Sequence, residues 1–326
     1  MSDSDLMIEV ENLTKQYGSF TAVDNISFSC RRGEIVGLLG PNGAGKTTTM
    51  RILTGYMPPT SGEAYIAGFD TLNDSIAARR HLGYLPESVP LYKEMTVEAY
   101  LAFVGEVRRV ENVWDRVDDV LEDVGLLEKA ESFIGSLSKG MRQRVGLAQA
   151  IMHDPDVLIL DEPTIGLDPG QIVNMRSLIR RLGEKRTILL STHIMSEVEQ
   201  ICDRVIMIIN GRIASDFSLA SLQGDPVLAV EMAAPAANAG GILQGLNGVS
   251  SVQADAGNLF HITYDGSNET RVAISNEIVR QSWGILSVTA ERRSLESIFL
   301  NKLAEANASV GAGLASDLLL DAGEEE

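Results

Sequence analysis

Gly40-Pro41-Asn42-Gly43-Ala44-Gly45-Lys46-Thr47 fills every fixed position of the pattern G-x-x-x-x-G-K-[ST]. It follows the run Glu34 to Leu39 and leads into Thr48-Thr49-Met50-Arg51-Ile52-Leu53, which reads as a helix. Strand, glycine loop and helix in that order are the context the pattern requires. The glycines let backbone N–H groups converge on phosphate oxygens, and the new helix adds the positive end of its dipole. Lys46 would then reach the β- and γ-phosphates of a nucleotide, and Thr47 would offer its hydroxyl to a magnesium ion.

A phosphate loop alone says "nucleotide", so the rest of the chain must supply the reaction. At 326 residues the chain exceeds the size, about 250–300, at which one core stops growing, so a main domain and a smaller one are expected. The formal net charge of −18 argues against a nucleic-acid partner, because such proteins carry a basic stripe that displaces counterions from phosphate. It also argues against a membrane-adhesive surface, so attachment to a membrane should run through a protein partner. Cys30 and Cys202 stand far apart in no C-x-x-C arrangement, which suggests neither a disulfide framework nor a zinc site. Met1 to Asp5 is polar and acidic, no secretory pattern follows it, and no apolar run reaches the 18 or so residues of a membrane span. The expected location is cytoplasmic.

The opening of the chain is β-rich: Leu6 to Leu13 and Ile26 to Cys30 read as strands on either side of a turn at Tyr17-Gly18-Ser19. Beyond the first helix come a turn at Pro58-Pro59-Thr60-Ser61-Gly62, a strand from Glu63 to Ala67, a helix from Ala77 to His81, and the short strand Leu82-Gly83-Tyr84-Leu85-Pro86-Glu87. From Thr96 to Arg109 and from Val113 to Val124 the apolar residues recur at helical spacing, within an all-helical insert spanning about 88–155. Its amphipathic faces serve core packing or present a docking surface.

At Leu137-Ser138-Lys139-Gly140-Met141-Arg142-Gln143-Arg144 a polar turn opens a helix to about Met152, with Ser138 suited to cap it. Val157-Leu158-Ile159-Leu160 is a continuous apolar run, as a parallel strand covered on both faces should be, and it ends in Asp161-Glu162-Pro163. Two carboxylates there, in a chain with a phosphate loop, suggest a magnesium-holding aspartate and a water-activating glutamate. The next buried strand, Thr187 to Leu190, delivers Ser191-Thr192-His193. His193 can donate to a phosphate oxygen or position water, or it can be a strand-end histidine satisfied by backbone. Asn210-Gly211 marks a closing hairpin, and the main domain should end near Gly224.

From 225 to 306 the order βαββαβ with a last helix is that of a ferredoxin-like split unit, able to dimerise, to sense a ligand, or to serve as a structural appendage. Residues 307–326, ending in Glu324-Glu325-Glu326, read as a disordered acidic tail.

Taken together, these motifs resemble, in order and spacing, the ATP-binding subunit of ABC transporters, over about Leu6 to Gly224. GPNGAGKTT at Gly40 to Thr48 looks like the Walker A loop, LSKGMRQR from Leu137 like the family signature, VLILDEP from Val157 like Walker B, GLDP from Gly166 like the D-loop, and STH like the switch histidine. The resemblance implies an α/β P-loop NTPase cassette with an antiparallel N-terminal β part and a helical subdomain. It implies ATP and Mg2+ as ligands, with Tyr17 as the adenine-stacking aromatic, although an aromatic beside a glycine turn is more often a packing residue. It implies a head-to-tail dimer, each ATP held between Gly40 to Thr48 of one cassette and Ser138, Lys139 and Gly140 of the other, with Asp168 at the seam. Glu162 would be the base and His193 its neighbour at the γ-phosphate. GYLPE, LYKEMTVEAYL and a small C-terminal domain look most like exporter ATPases whose permease is a separate polypeptide, which places the chain on the cytoplasmic face of the membrane.

Three positions depart from the commonest pattern: Lys139 replaces glycine, Met141 replaces glutamine, and Glu87 stands where glutamine is usual. Backbone N–H groups and Ser138 still suit the γ-phosphate, and Lys139 adds attraction. Glu87 is expected, beside Thr47 and Asp161, to contact the metal and the permease coupling surface. One alternative is a soluble ABC-type ATPase acting on DNA or ribosomes, disfavoured by the single Walker A, the lack of heptads and the acidic balance. The other is an ATP-gated interaction module, disfavoured by intact Glu162 and His193.

Overall fold

The computed structural model describes residues 5–223, 226–255, 258–291 and 295–306. The chain divides into two compact units, the second spanning Ala220–Asn301. Gly224, Ala256, Gly257 and residues 307–326, which the sequence reads as an acidic tail, lie outside the described residues.

The first unit opens with a hairpin of β1 (Leu6–Tyr17) and β2 (Phe20–Arg31), longer than the short strands indicated by the sequence. The apolar alternation lapses at Asn12 and Asn25, and there the backbone takes positive φ (48° and 49°) near shifts in register. Bulges thus carry the strands through a break in the pattern. β4 (Ser61–Ile66) and β5 (Phe69–Asp70) complete an antiparallel sheet of order β2-β1-β4-β5.

The second sheet holds β3 (Ile35–Leu39), β6 (Leu82–Leu85), β7 (Val157–Asp161), β8 (Thr187–Thr192), β9 (Arg204–Ile209) and β10 (Arg212–Ser218), in the order β10-β9-β3-β8-β7-β6. All its pairings are parallel except that of β10, which folds back on β9 through Asn210 and Gly211, both at positive φ. Every residue of β3, β7 and β8 is buried, which is why these strands read as unbroken apolar runs. Ile8, Leu13 and Val23 of the first sheet share a core with Leu38, Ile159 and Ile206 of the second and with Met50 and Leu53 of the phosphate-loop helix.

Parallel strands deliver their C-termini to one edge, the usual seat of ligands in open α/β sheets. β3 runs into the glycine loop and α1 (Lys46–Leu53), β7 ends at Asp161, β8 ends one residue before His193, and Glu87 lies two residues past β6.

After α2 (Ser75–Arg80), the insert contains α3 (Val97–Arg108), capped by Thr96, then α4 (Val113–Asp123) and α5 (Lys139–Ile151), capped by Ser138. Two helices have no counterpart in the sequence reading, α6 (Pro169–Gly183) and α7 (Met195–Ile201). The start of α6 is nevertheless a strong signal, since Asp168 caps it by accepting from Gln171 N and Pro169 fills the first turn.

The second unit is β11 (Val227–Met232), α8 (Ala239–Gln244), β12 (Val249–Ala254), β13 (Leu259–Tyr264), α9 (Asn268–Arg280), β14 (Ile285–Glu291) and helix from 295 to the unit's end at Asn301. Its antiparallel sheet of order β12-β13-β11-β14 is ferredoxin-like. Leu228, Val230 and Met232, at every second position of β11, pack with Phe260, Ile262, Ile274, Ile278 and Trp283.

Candidate functional site

The glycine loop depends on two of its glycines for close packing. A Cβ on Gly45, whose φ is +106°, would lie 2.5 Å from the Ala22 carbonyl oxygen, and one on Gly40 would overlap the Ile208 carbonyl. Lys46 is only 6% exposed and folds back over the loop, its ammonium donating to the carbonyls of Gly40 (2.7 Å) and Pro41 (3.2 Å). It also lies 3.6 Å from a Glu162 carboxylate oxygen. Beside it Thr47 Oγ1 donates to Asp161 Oδ1 at 3.3 Å.

Glu162 occupies the left-handed region, with φ 48°. A side-chain-bearing residue adopts that backbone at a cost of order 1 kcal/mol, and its surroundings must hold it there. They do: its N–H lies 3.2 Å from the Ser191 carbonyl oxygen and 3.0 Å from Ser191 Oγ. The same hydroxyl donates to Asp161 Oδ1 at 2.6 Å, so Ser191 orients both carboxylate residues at once. His193 Nδ1 stands 3.0 Å from Glu162 Oε2, and donation from this nitrogen leaves Nε2 free to serve the cleft.

Below this pair lies a buried polar group. Glu197, with no exposed surface, accepts from Thr164 Oγ1 and from Thr192 Oγ1 (2.8 Å), and Arg176 Nη2 is 3.8 Å away. Neither Glu197 nor Thr164 figures in the sequence reading.

A cleft of about 420 Å³ brings together Tyr17, Asn42, Gly43, Ala44, Gly45, Lys46, Thr47, Thr48, Glu87, Glu162 and His193. Gly40 and Pro41 support it through Lys46, and Asp161 through Thr47. The Tyr17 hydroxyl donates to Met57 Sδ at 3.1 Å and the ring is about half exposed. Phe20, 61% exposed, lines the same cleft and was not singled out from the sequence. Its signal is the hairpin register, which pairs Phe20 with Tyr17 across Gly18-Ser19.

The remaining expected site residues lie elsewhere. Ser138 and Gly140 line a separate cleft of about 550 Å³ with Met141, Arg144 and Gln171. Lys139 lines a third with Arg142 and Glu87, its ammonium against Gly166, and Asp168 accepts from Gln171 N at 2.9 Å. A single chain therefore does not gather the signature segment and the phosphate loop into one cleft.

A hydroxyl and a carboxylate in contact, with Glu87 on the same wall, are hard oxygen donors that suit Mg2+. Among the described residues no group of three or more His, Cys, Asp or Glu could hold a metal ion. The donor set thus fits a cation that shares its coordination with substrate phosphates. Tyr84, near Asp161, is pushed up to about 12 by burial and, secondarily, by that carboxylate's charge. Among the described residues no helix is long and apolar enough to cross a membrane.

The ABC transporter family model matches residues 23–165. The chain is 42% identical to the ABC transporter ATP-binding protein YxlF of Bacillus subtilis (strain 168), over 64% of this chain and 70% of that protein. It is 41% identical to the Nod factor export ATP-binding protein I of Ralstonia nicotianae, over 63% and 65% of the two chains. Among solved structures it is similar to a dimeric post-hydrolysis ATP-binding cassette bound to ADP and Pi, with a TM-score of 0.60, 26% identity, and 65% and 99% of the two chains covered. By the family match and relatives of this kind, the chain belongs to the ABC transporter family, as an ATP-binding subunit with the family's ATPase fold and activity.

Proposed function

We propose that this subunit hydrolyses ATP to drive export through membrane subunits carried on separate polypeptides. Two copies pair head to tail, each ATP lying between the phosphate loop of one and Ser138, Lys139 and Gly140 of the other. The observation that carries this reading is the division of the site: the phosphate loop, Glu162 and His193 share one cleft, while Ser138 and Gly140 open into another. A second copy supplies the missing half, with Asp168 at the seam.

Within each half, Tyr17 and Phe20 offer aromatic faces for the adenine, and the backbone of Asn42 to Thr48 cradles the phosphates. Lys46 exchanges its carbonyl partners for phosphate oxygens. Glu162 takes the proton of the attacking water, and His193 holds the Glu162 carboxylate in orientation from 3.0 Å. Thr47, Asp161 and Glu87 would hold Mg2+, which when bound neutralises charge developing on the phosphates. Export is supported by the similarity to a Nod factor export protein. For the membrane partner, a cleft of about 440 Å³ next to the Glu87 segment, lined by Tyr56, Tyr84, Pro86, Val104 and Arg108, offers an apolar seat. Docking there would hold the acidic chain on the cytoplasmic face of the membrane.

Light scattering of the Glu162→Gln chain with and without Mg-ATP tests the pairing. Loss of the base should trap a dimer only when ATP is present, and the wild type should hydrolyse ATP. A chain that binds ATP and stays monomeric would exclude the homodimer.

A further inference from the structure

Glu197 lies in the first turn of α7 with none of its surface exposed. A carboxylate so placed is costly unless its oxygens are satisfied. Oε2 accepts from Thr192 Oγ1 at 2.8 Å, and Oε1 accepts from Thr164 Oγ1 with Arg176 Nη2 3.8 Å away. Thr192 Oγ1 in turn accepts from the Ile194 N–H at 3.0 Å.

The positions of these partners give the network its meaning. Thr192 and Ile194 flank His193 on both sides, and Thr164 lies two residues past Glu162. One buried carboxylate thus fixes the backbone around both residues whose side chains meet at 3.0 Å.

We propose that Glu197 is a positioning residue that sets the Glu162–His193 pair, acting through Thr164 and Thr192 without touching ATP. The inference rests on the roles given above to Glu162 and His193. An amide cannot take its place in full. Both threonines donate to the carboxylate, and an amide keeps one acceptor oxygen but sets an N–H against the other hydroxyl, which must then turn its proton away and accept instead. Glu197→Gln therefore exchanges two charge-assisted bonds for weaker neutral ones, one of them reversed, and loses the attraction to Arg176. None of the network's partners belongs to the phosphate loop, so ATP binding should be spared.

The test is a double-mutant cycle on single-turnover hydrolysis of Mg-ATP by the full chain, with Glu197→Gln, His193→Ala and the pair. Tm and affinity for a fluorescent ATP analogue are measured for each. Misplacing reacting groups by a fraction of an ångström lowers rates by about 10- to 100-fold, so that loss is expected for Glu197→Gln, with nucleotide affinity changed less than about twofold. In the His193→Ala chain the same substitution should lower the rate less than about threefold while lowering Tm as much as it does in the wild type, because the pair it positions is already gone. Losses that multiply in the double variant would overturn the inference and make Glu197 a purely structural anchor. A full rate in His193→Ala would remove the role of the pair and the inference with it. Should Glu197→Gln fail to fold, Thr164→Val and Thr192→Val, each deleting one hydroxyl, carry the same cycle.

Discussion

Lys46 and Glu162 are both buried, at 6% exposure each, and neutralise one another across 3.6 Å. Removing one member of a buried pair leaves the other uncompensated, at a cost of about 3–5 kcal/mol. Lys46→Met should therefore lower stability as well as ATP binding, whereas Lys46→Met with Glu162→Gln should recover most of the stability and none of the turnover; chemical denaturation beside hydrolysis assays separates the two. Gly45→Ala faces a φ of +106° and a carbonyl 2.5 Å from the new methyl, so loss of both fold stability and nucleotide binding is expected. His153 is pushed down to about 4 by burial and the nearby Arg108, and its Nε2 lies 3.0 Å from the Leu82 carbonyl. Its folded pKa lies below its unfolded value, so between about pH 4 and 6.5 the unfolded state binds more protons, and stability falls as pH is lowered through that window. Each pH unit there is worth up to about 1.4 kcal/mol, and His153→Gln should flatten the slope in denaturant titrations at pH 5 and pH 7.

Among the elements, the start of α6 packs closely on the start of α5. The Gln171 carboxamide lies on Gly140, and a Cβ there would overlap it. Gly140→Ala has only to swing the end of the flexible Gln171 side chain aside and gains helix propensity within α5, so stability measured by chemical denaturation should change by less than about 1 kcal/mol while the cleft that Gly140 shares with Gln171 is reshaped. The elements most legible in the sequence are those with strong local signals: the buried parallel strands, the helix capped by Ser138, the apolar spacing of the helix after Thr96, and the Asn210-Gly211 hairpin. Helix α6 has no counterpart in the sequence reading although Met175, Leu178, Ile179 and Leu182 recur at helical spacing behind Asp168-Pro169. Glu197 was illegible for a physical reason. Its partners come from the ends of two different strands and from another helix, so nothing local distinguishes it from a solvent-facing glutamate. Phe20 lay between these cases, visible only once the register of β1 and β2 was known.

For the whole molecule, the parallel sheet explains how residues as distant as Gly40, Glu87, Asp161 and His193 come to one edge. The two thiols are core residues, Cys30 in β2 of the antiparallel sheet and Cys202 at the end of α7. Burial raises both Cys30 and Cys202 well above the usual thiol range, and at 0% and 4% exposure they are fillers of the core. A disulfide-exchange reagent should leave both unmodified in the native protein and react with two equivalents on denaturation, making thiol release a monitor of global opening. The separate cleft of Ser138 and Gly140 has a further consequence on the head-to-tail pairing proposed here. A chain on its own carries two unlike half-sites and no complete one. Specific activity then becomes a property of concentration: dilution should silence the protein without unfolding it, and turnover per chain should climb steeply as copies become crowded, as they would be when tethered side by side on a membrane assembly.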